Sequence, residues 1–248
     1  MSQTLYLKCT PDDLGDVVLL TGDPARVKRI AGALEDVREV ASNREFYTVT
    51  GTYDGLSVSG VSSGIGAPSA AIAIEEMVQL GVRAIVRVGT MMGVLAPLGV
   101  FVLATGAARY EGTSVDYLPM AYPAVPDWGL SQHLLAAAEY NEAATMTGIT
   151  ATFDSFYPRM APALVGRGLP QSEELREAGV MALDMETALL YVAGMRLNVA
   201  VASMCLVTNE AEPFAVIDAS KRTEGEDRLI RTVLKGLRDW HHGQNTAD

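Results

Sequence analysis

Val17-Val18-Leu19-Leu20-Thr21-Gly22-Asp23-Pro24-Ala25-Arg26-Val27 runs four apolar residues straight into a glycine turn. A proline follows, and then an apolar spacing through Val27, Ile30 and Leu34. The pattern predicts a buried strand, a tight loop and the start of a helix. Proline suits that first turn, because its missing N–H would be unpaired there anyway. Gly22 lets the backbone approach a ligand, and the helix that follows points N–H groups at it. Arg26 lies near the positive end of that helix, where a cation is mildly unfavourable unless an anion sits between them. Two readings stand: an oxyanion site, most simply for phosphate, or a solvent-facing arginine on a surface helix. The stretch alone leans to the second.

The rest of the chain sets limits around this unit. Its 248 residues suit one large α/β domain spanning 1–248, with no internal repeat and no linker. At 49% hydrophobic and 20% charged residues, a sizeable core is within reach and wholesale disorder is excluded. The formal net charge of -11 argues against nonspecific nucleic-acid binding, which depends on neutralising phosphates with Lys and Arg. Such a chain must gather its arginines locally to bind an anion. Cys9 and Cys205 are far apart and read as buried reduced thiols. Met1 to Lys8 has neither a basic lead nor a long apolar core, and no apolar run reaches membrane-spanning length. The expectation is a soluble cytoplasmic protein without membrane partners. His133, His241 and His242 fit no metal spacing.

Further along, Tyr47 to Tyr53 and Leu56 to Val61 flank Asp54-Gly55, a hairpin signal. Ser62-Ser63-Gly64-Ile65-Gly66-Ala67-Pro68-Ser69 is a second small-residue loop before a helix that Gly81 ends. Its glycines could cradle a ligand or simply make a turn. Ala84-Ile85-Val86-Arg87-Val88-Gly89-Thr90 reads as a central strand, apolar on both faces and interrupted by Arg87. A guanidinium there needs a partner, either a buried carboxylate or a bound anion at the strand's end. Gly89-Thr90 adds a backbone and a hydroxyl for the same anion, which favours the second.

Strands are expected at Phe101–Thr105, Ala144–Phe153 and Val199–Val207, and helices at Trp128–Asn141 and from Ser172. A loop covers Tyr110–Pro126, and a Gly- and Pro-rich flap covers Arg159–Gln171. Val180 to Ala188 carries an apolar strand into Asp184 and Glu186 and on into a helix. Either Asp184 caps that helix and Glu186 favours its dipole, or Glu186 holds a sugar through two vicinal hydroxyls. A long helix from Val216 to Trp240 closes the chain, with a frayed tail from His241 to Asp248.

Gly22-Asp23-Pro24-Ala25-Arg26-Val27, Ser42-Asn43-Arg44-Glu45-Phe46, Gly64 to Ser69, Arg87-Val88-Gly89-Thr90 and Met185-Glu186 occur in the order seen in the nucleoside phosphorylase family. The chain resembles that family over nearly its whole length. Glu75-Glu76-x-x-Gln79-Leu80-Gly81 and Asp154-Ser155-Phe156-Tyr157-Pro158 are most similar to its uridine phosphorylase branch. The resemblance implies a three-layer α/β/α fold with a central mixed, twisted sheet flanked by helices. It implies reversible phosphorolysis of a ribonucleoside to free base and ribose 1-phosphate, with inorganic phosphate as co-substrate and no cofactor. Arg87, Glu186 and Arg26 would be catalytic. Gly22, Arg26, Arg87 and Thr90 would bind phosphate, joined by Arg44 reaching into a neighbouring subunit's site. Met185 and Glu186 would hold the ribose and Phe156 would pack on the base or sugar. The chain would be a homo-oligomer, at least a dimer and in the family usually a hexamer. Glu45, Ile65 and Ser69 match positions that hold potassium at the dimer interface in some members, or they are plain interface packing.

At the base end the chain departs from this pattern. Met160 and Pro162 stand where the family's uridine enzymes carry Gln-x-Arg. Met91-Met92-Gly93 replaces a threonine or cysteine followed by glycine, and Tyr6 replaces a histidine that reaches the ribose 5′ end. Asn209 stands near the position of the proton-donating aspartate of purine enzymes, with Glu210 beside it as a substitute. The base pocket thus becomes more apolar, so phosphorolysis is better supported than uracil. The alternatives are a purine phosphorylase, a hydrolytic nucleosidase that would have no need of three arginines, and a non-enzymatic nucleoside-binding protein.

Overall fold

The computed structural model describes residues 3–157, 170–210 and 214–245. Strand β1 (Val17–Thr21) is buried at every position. It lies between β4 (Leu56–Ser62) and β5 (Ala84–Gly93) and runs parallel to both. A strand covered on both faces needs apolar residues throughout rather than at alternate positions, which is what Val17 to Leu20 supply. Helix α1 (Pro24–Ala31) follows with Pro24 in its first turn. The Asp23 carboxylate accepts from the Ala25 N–H at 2.8 Å and so caps the helix.

The helix stops at Ala31, short of the predicted Leu34, and β2 (Glu35–Asn43) begins instead. This strand was not expected. Most of its residues are exposed, and it pairs on one side only, with β3 (Phe46–Tyr53). An outermost strand studded with Glu35, Asp36, Arg38 and Glu39 has no dry face, so it shows no alternation, and its charges protect a free edge. The β3–β4 hairpin turns at Asp54 and Gly55, both at positive φ (48° and 80°), as a two-residue turn requires.

The ten strands of the described residues belong to one mixed sheet. At its centre β5 pairs with β9 (Ala200–Glu210), β9 with β6 (Phe101–Tyr110), β6 with β7 (Thr145–Phe153), β7 with β8 (Ala182–Asp184), and β8 again with β5. These five strands therefore close a circuit. The three-residue β8 is the link that brings Asp184 and the two residues after it against β5.

Helices cover both sides of the sheet. Val18, Leu20 and Ile85 pack with Ile74 and Met77 of α2 (Ala67–Gln79) and Leu189 and Leu190 of α5 (Thr187–Leu197). Val17, Leu19 and Val86 pack on the other side with Ile30 and Leu134, the latter from α3 (Trp128–Tyr140). Leu229, Val233 and Leu237 of α6 (Ala219–Asn245) join them there. The period-two alternation along β1 thus separates two apolar cores. The short α4 (Ser172–Glu177) begins at the predicted residue, and most of the flap expected before it, 159–169, lies outside the described residues.

The C-terminal end of the chain differs from expectation. Val216 belongs to a two-residue strand, β10 (Ala215–Val216), paired with β9, and the helix starts only at Ala219. It then continues through the expected frayed tail to Asn245. His241 Nε2 lies 3.5 Å from Asp16 Oδ2, which ties the last turns to the body.

Candidate active site

The loops after β1, β4 and β8 and the outer half of β5 surround one cavity of about 930 Å³. Gly22, Arg26, Arg87, Thr90, Met185, Glu186 and Phe156 all border it. So do Glu45 and Ile65 from the opposite rim. The two glycine loops touch: a Cβ on Gly22 would lie 2.9 Å from the Gly64 carbonyl oxygen. Gly64 and Gly66 hold positive φ (72° and 96°), which L side chains rarely adopt.

Arg87 is only 8% exposed and is gripped on three sides. Its Nε lies 3.3 Å from Asp184 Oδ2, its Nη1 donates to Cys205 Sγ at 2.7 Å, and its Nη2 donates to Glu186 Oε2. Burial by itself disfavours the charge, but Cys205, Glu186 and Asp184 outweigh it and hold the guanidinium above its ordinary range. The buried-carboxylate reading of this arginine is realised, and the residue also borders the cavity.

Asp184 is fully buried. It accepts from Thr152 Oγ1 at 2.8 Å, and from the Thr187 backbone N–H at 3.0 Å and hydroxyl at 2.5 Å. It thus satisfies the first turn of α5, as the capping reading expected. Burial pushes its carboxyl above the usual range, and Arg87 only partly opposes this. Glu186 occupies the N-cap position of α5 but makes no side-chain cap. Its carboxylate turns to the cavity instead, where Oε1 accepts from the Gly66 N–H at 2.6 Å. Glu186 therefore joins the Gly64–Gly66 loop to Arg87.

Arg26 is 5% exposed, which overturns the solvent-facing reading. Its Nη1 donates to Thr21 Oγ1 at 2.6 Å and its Nη2 to Glu226 Oε1 at 2.9 Å. The buried Nε has no hydrogen-bond partner among the described residues. Arg222 also borders the cavity, and its Nε donates to the same Glu226 oxygen at 3.1 Å. The sequence reading missed both α6 residues. A signal was present: Glu226 continues the spacing of Leu229, Ile230, Val233, Leu234 and Leu237, placing a carboxylate on the apolar stripe.

Other expected residues lie elsewhere. Arg44 is exposed at the β2–β3 turn with φ 57°, its guanidinium carbon 5.7 Å from the centre of the Tyr6 ring. Neither residue borders the cavity of its own chain; Tyr6 is held through its backbone by Glu76 and Asn43. Met91, expected at the base, points instead into a buried cluster with Val102, Cys205 and Val207. Asn209 pairs with Val216 and accepts from the Thr208 hydroxyl, away from the cavity lining. The Glu210 carboxylate accepts from the Leu98 N–H at 3.0 Å, so it is not aimed at the site as a substitute acid. Met160 lies outside the described residues. Ser69 Oγ lies 3.1 Å from Glu45 Oε1 and also against the Ser63 carbonyl oxygen, one hydroxyl proton between two acceptors, and Ile65 is 76% exposed. Among the described residues no three His, Cys, Asp or Glu side chains cluster as a metal site would require, and no helix is long and apolar enough to cross a membrane.

A model of the phosphorylase superfamily matches residues 16–233. A protein named uridine phosphorylase from Thermococcus kodakarensis is 37% identical over 96% of this chain and 92% of its own. A guanosine phosphorylase from Halorubrum lacusprofundi is 35% identical, over 92% and 91%. The crystal structure of uridine phosphorylase from Vibrio fischeri superimposes with a TM-score of 0.86 at 28% identity, covering 96% of this chain and 98% of that one.

Proposed function

The chain belongs to the phosphorylase superfamily, and on that premise we propose that it is a nucleoside phosphorylase acting on uridine. Phosphate attacks C1′ of the ribose, the bond to the base nitrogen breaks with its electron pair leaving on the base, the base takes up the proton that hydrogen phosphate loses on becoming the ester, and the products are free base and ribose 1-phosphate. The observation that carries this reading is the convergence of Arg26, Arg87 and Glu186 on one cavity.

Phosphate is anionic at neutral pH and needs no base to activate it. What it needs is position. Arg26, Arg87, Thr90 and the Gly22 backbone hold it beneath C1′, and Arg44 joins them from a second copy of the chain. The sugar becomes cationic as the bond breaks, and the bound anion stabilises it. Glu186 accepts from the ribose hydroxyls. A carboxylate offers about four acceptor positions, so it does this while keeping its bond from Gly66. Arg87 and Glu186 hold each other, and phosphate and ribose divide that pair between them. Met185 supports the sugar, and Phe156 packs against the base.

The enzyme in this reading is an oligomer of dimers that needs no cofactor beyond its co-substrate, with potassium held near Glu45, Ile65 and Ser69 and the cytoplasm as its compartment.

The deciding experiment incubates uridine with and without inorganic phosphate. Ribose 1-phosphate should form only with phosphate; equal cleavage in its absence would overturn the reading. A second substrate class follows from the guanosine phosphorylase among the relatives. Guanosine and inosine in the same assay separate the two, and faster turnover of either than of uridine would move the assignment to purines.

A further inference from the structure

Arg26 has two of its five N–H donors already taken by the protein. Thr21 Oγ1 fixes Nη1 from the strand side, and Glu226 Oε1 fixes Nη2 from the helix side. A planar guanidinium held at two corners has no freedom left to rotate. Nε is buried and without a partner among the described residues. Nη1 and Nη2 each carry a second N–H, and these are the donors a ligand in the cavity that Arg26 borders can take.

Glu226 is itself unusual. It lies on the stripe of α6 that otherwise carries Leu229, Ile230, Val233, Leu234 and Leu237 into the core. A carboxylate there needs cationic partners, and it has three. Arg26 lies at 2.9 Å and Arg222 at 3.1 Å from Oε1, and Arg29 Nε lies 3.6 Å from Oε2. Arg29 is also tied to Asp227 at 2.7 Å. Arg222 has a half-exposed side chain and faces the cavity, so it supplies a second cation on the same edge.

We propose that Glu226 is a positioning residue for the anion: it locks the Arg26 guanidinium at the cavity edge so that the second N–H groups of Nη1 and Nη2 are presented to bound phosphate. The inference rests on the phosphorolytic reading and assigns part of it to the C-terminal helix. Glu226 touches no substrate and acts only through Arg26. Its loss releases one corner of the guanidinium and leaves the phosphate with a mobile arginine instead of a fixed one.

The test measures binding of inorganic phosphate by calorimetry, together with steady-state kinetics, for the full chain and its Glu226→Gln variant. The variant should bind phosphate about tenfold more weakly, the cost of one lost charge-assisted contact. Its KM for phosphate should rise by the same factor while its KM for uridine stays unchanged. Glu226→Asp keeps the charge and should recover part of the affinity; it also serves as the test if Glu226→Gln does not fold. Unchanged phosphate affinity in both variants, or an equal rise in both KM values, overturns the proposal and leaves the phosphorolytic reading standing. Failure of the unsubstituted chain to bind phosphate at all overturns both.

Discussion

The guanidinium of Arg87 lies directly over Gly89: a Cβ on that glycine would collide with Nη1 and stand 3.0 Å from the central carbon. The strand needs glycine there because an arginine two residues earlier folds back along it. The far end of an arginine is ordinarily easy to displace, but this one is pinned to Asp184, Glu186 and Cys205. Gly89→Ala should therefore fold with a loss of about 1–3 kcal/mol, the usual cost of overpacking. It should lose about a hundredfold or more in kcat/KM, because a small misplacement of a positioning group is enough for that. Thermal melts and kinetics on the purified variant check both.

Removing Arg87 should be worse for stability than removing an ordinary active-site cation. Arg87→Ala leaves Asp184 and Glu186 buried together without their shared partner, a change that costs about 3–5 kcal/mol. The loss should depend on pH in a definite direction. Burial already holds the folded-state Asp184 pKa above the ordinary aspartate range, and Arg87 opposes that shift. Without Arg87 it rises further. A carboxyl raised in the folded state contributes stability below its unfolded pKa and loses it as pH rises through the folded one. The deficit of the variant should thus be smaller in acid than at neutral pH, by urea denaturation at each.

Glu226 should behave in the opposite sense. Burial would raise its pKa, but Arg26 and then Arg222 prevail and hold it below the ordinary glutamate range. Its stabilising effect is present above the unfolded pKa and is lost as pH falls through the folded one. Glu226→Gln should be less stable than the natural chain by about 2 kcal/mol at neutral pH. The two denaturation curves should converge in acid; a gap that stays constant with pH would contradict the ion-pair account.

Glu186→Gln separates the two halves of the site. The amide oxygen still accepts from Gly66, so the loop should keep its place. Arg87 loses its competing carboxylate, so phosphate should bind at least as tightly as before. The cationic sugar loses its counter-charge, and kcat should fall by about a hundredfold. A parallel loss of phosphate affinity would count against the division of labour proposed for Arg87 and Glu186.

Arg44 offers a check on assembly. It is exposed and lies off the cavity of its own chain, so Arg44→Ala should melt like the natural protein. If it completes a neighbour's site, the variant should still lose activity. Mixing it with Arg87→Ala after gentle dissociation should restore part of that activity, because some mixed dimers then carry one intact site. No recovery in demonstrably mixed dimers would argue against a shared site.

Local sequence was enough for the elements that meet the core. Val17 to Leu20, Gly22 and Pro24 predicted β1, its loop and α1, and Asp54-Gly55 predicted the β3–β4 turn, because burial on two faces and positive φ each demand particular residue types at adjacent positions. The same local logic marked Arg87 as an arginine in need of partners. It failed at β2, whose exposed edge has no dry face to leave a pattern, and at Met91, which the core claims although its position suggested the base.

What only the tertiary structure decided is which distant groups meet. Arg26 and Glu226 are 200 residues apart, and Arg87 reaches Glu186 and Asp184 through the closure of β8 onto β5. Periodicity along a chain records whether a side chain faces water or core. It carries no record of which charge lies across the gap, because that partner is set by how the sheet closes and where the last helix lands.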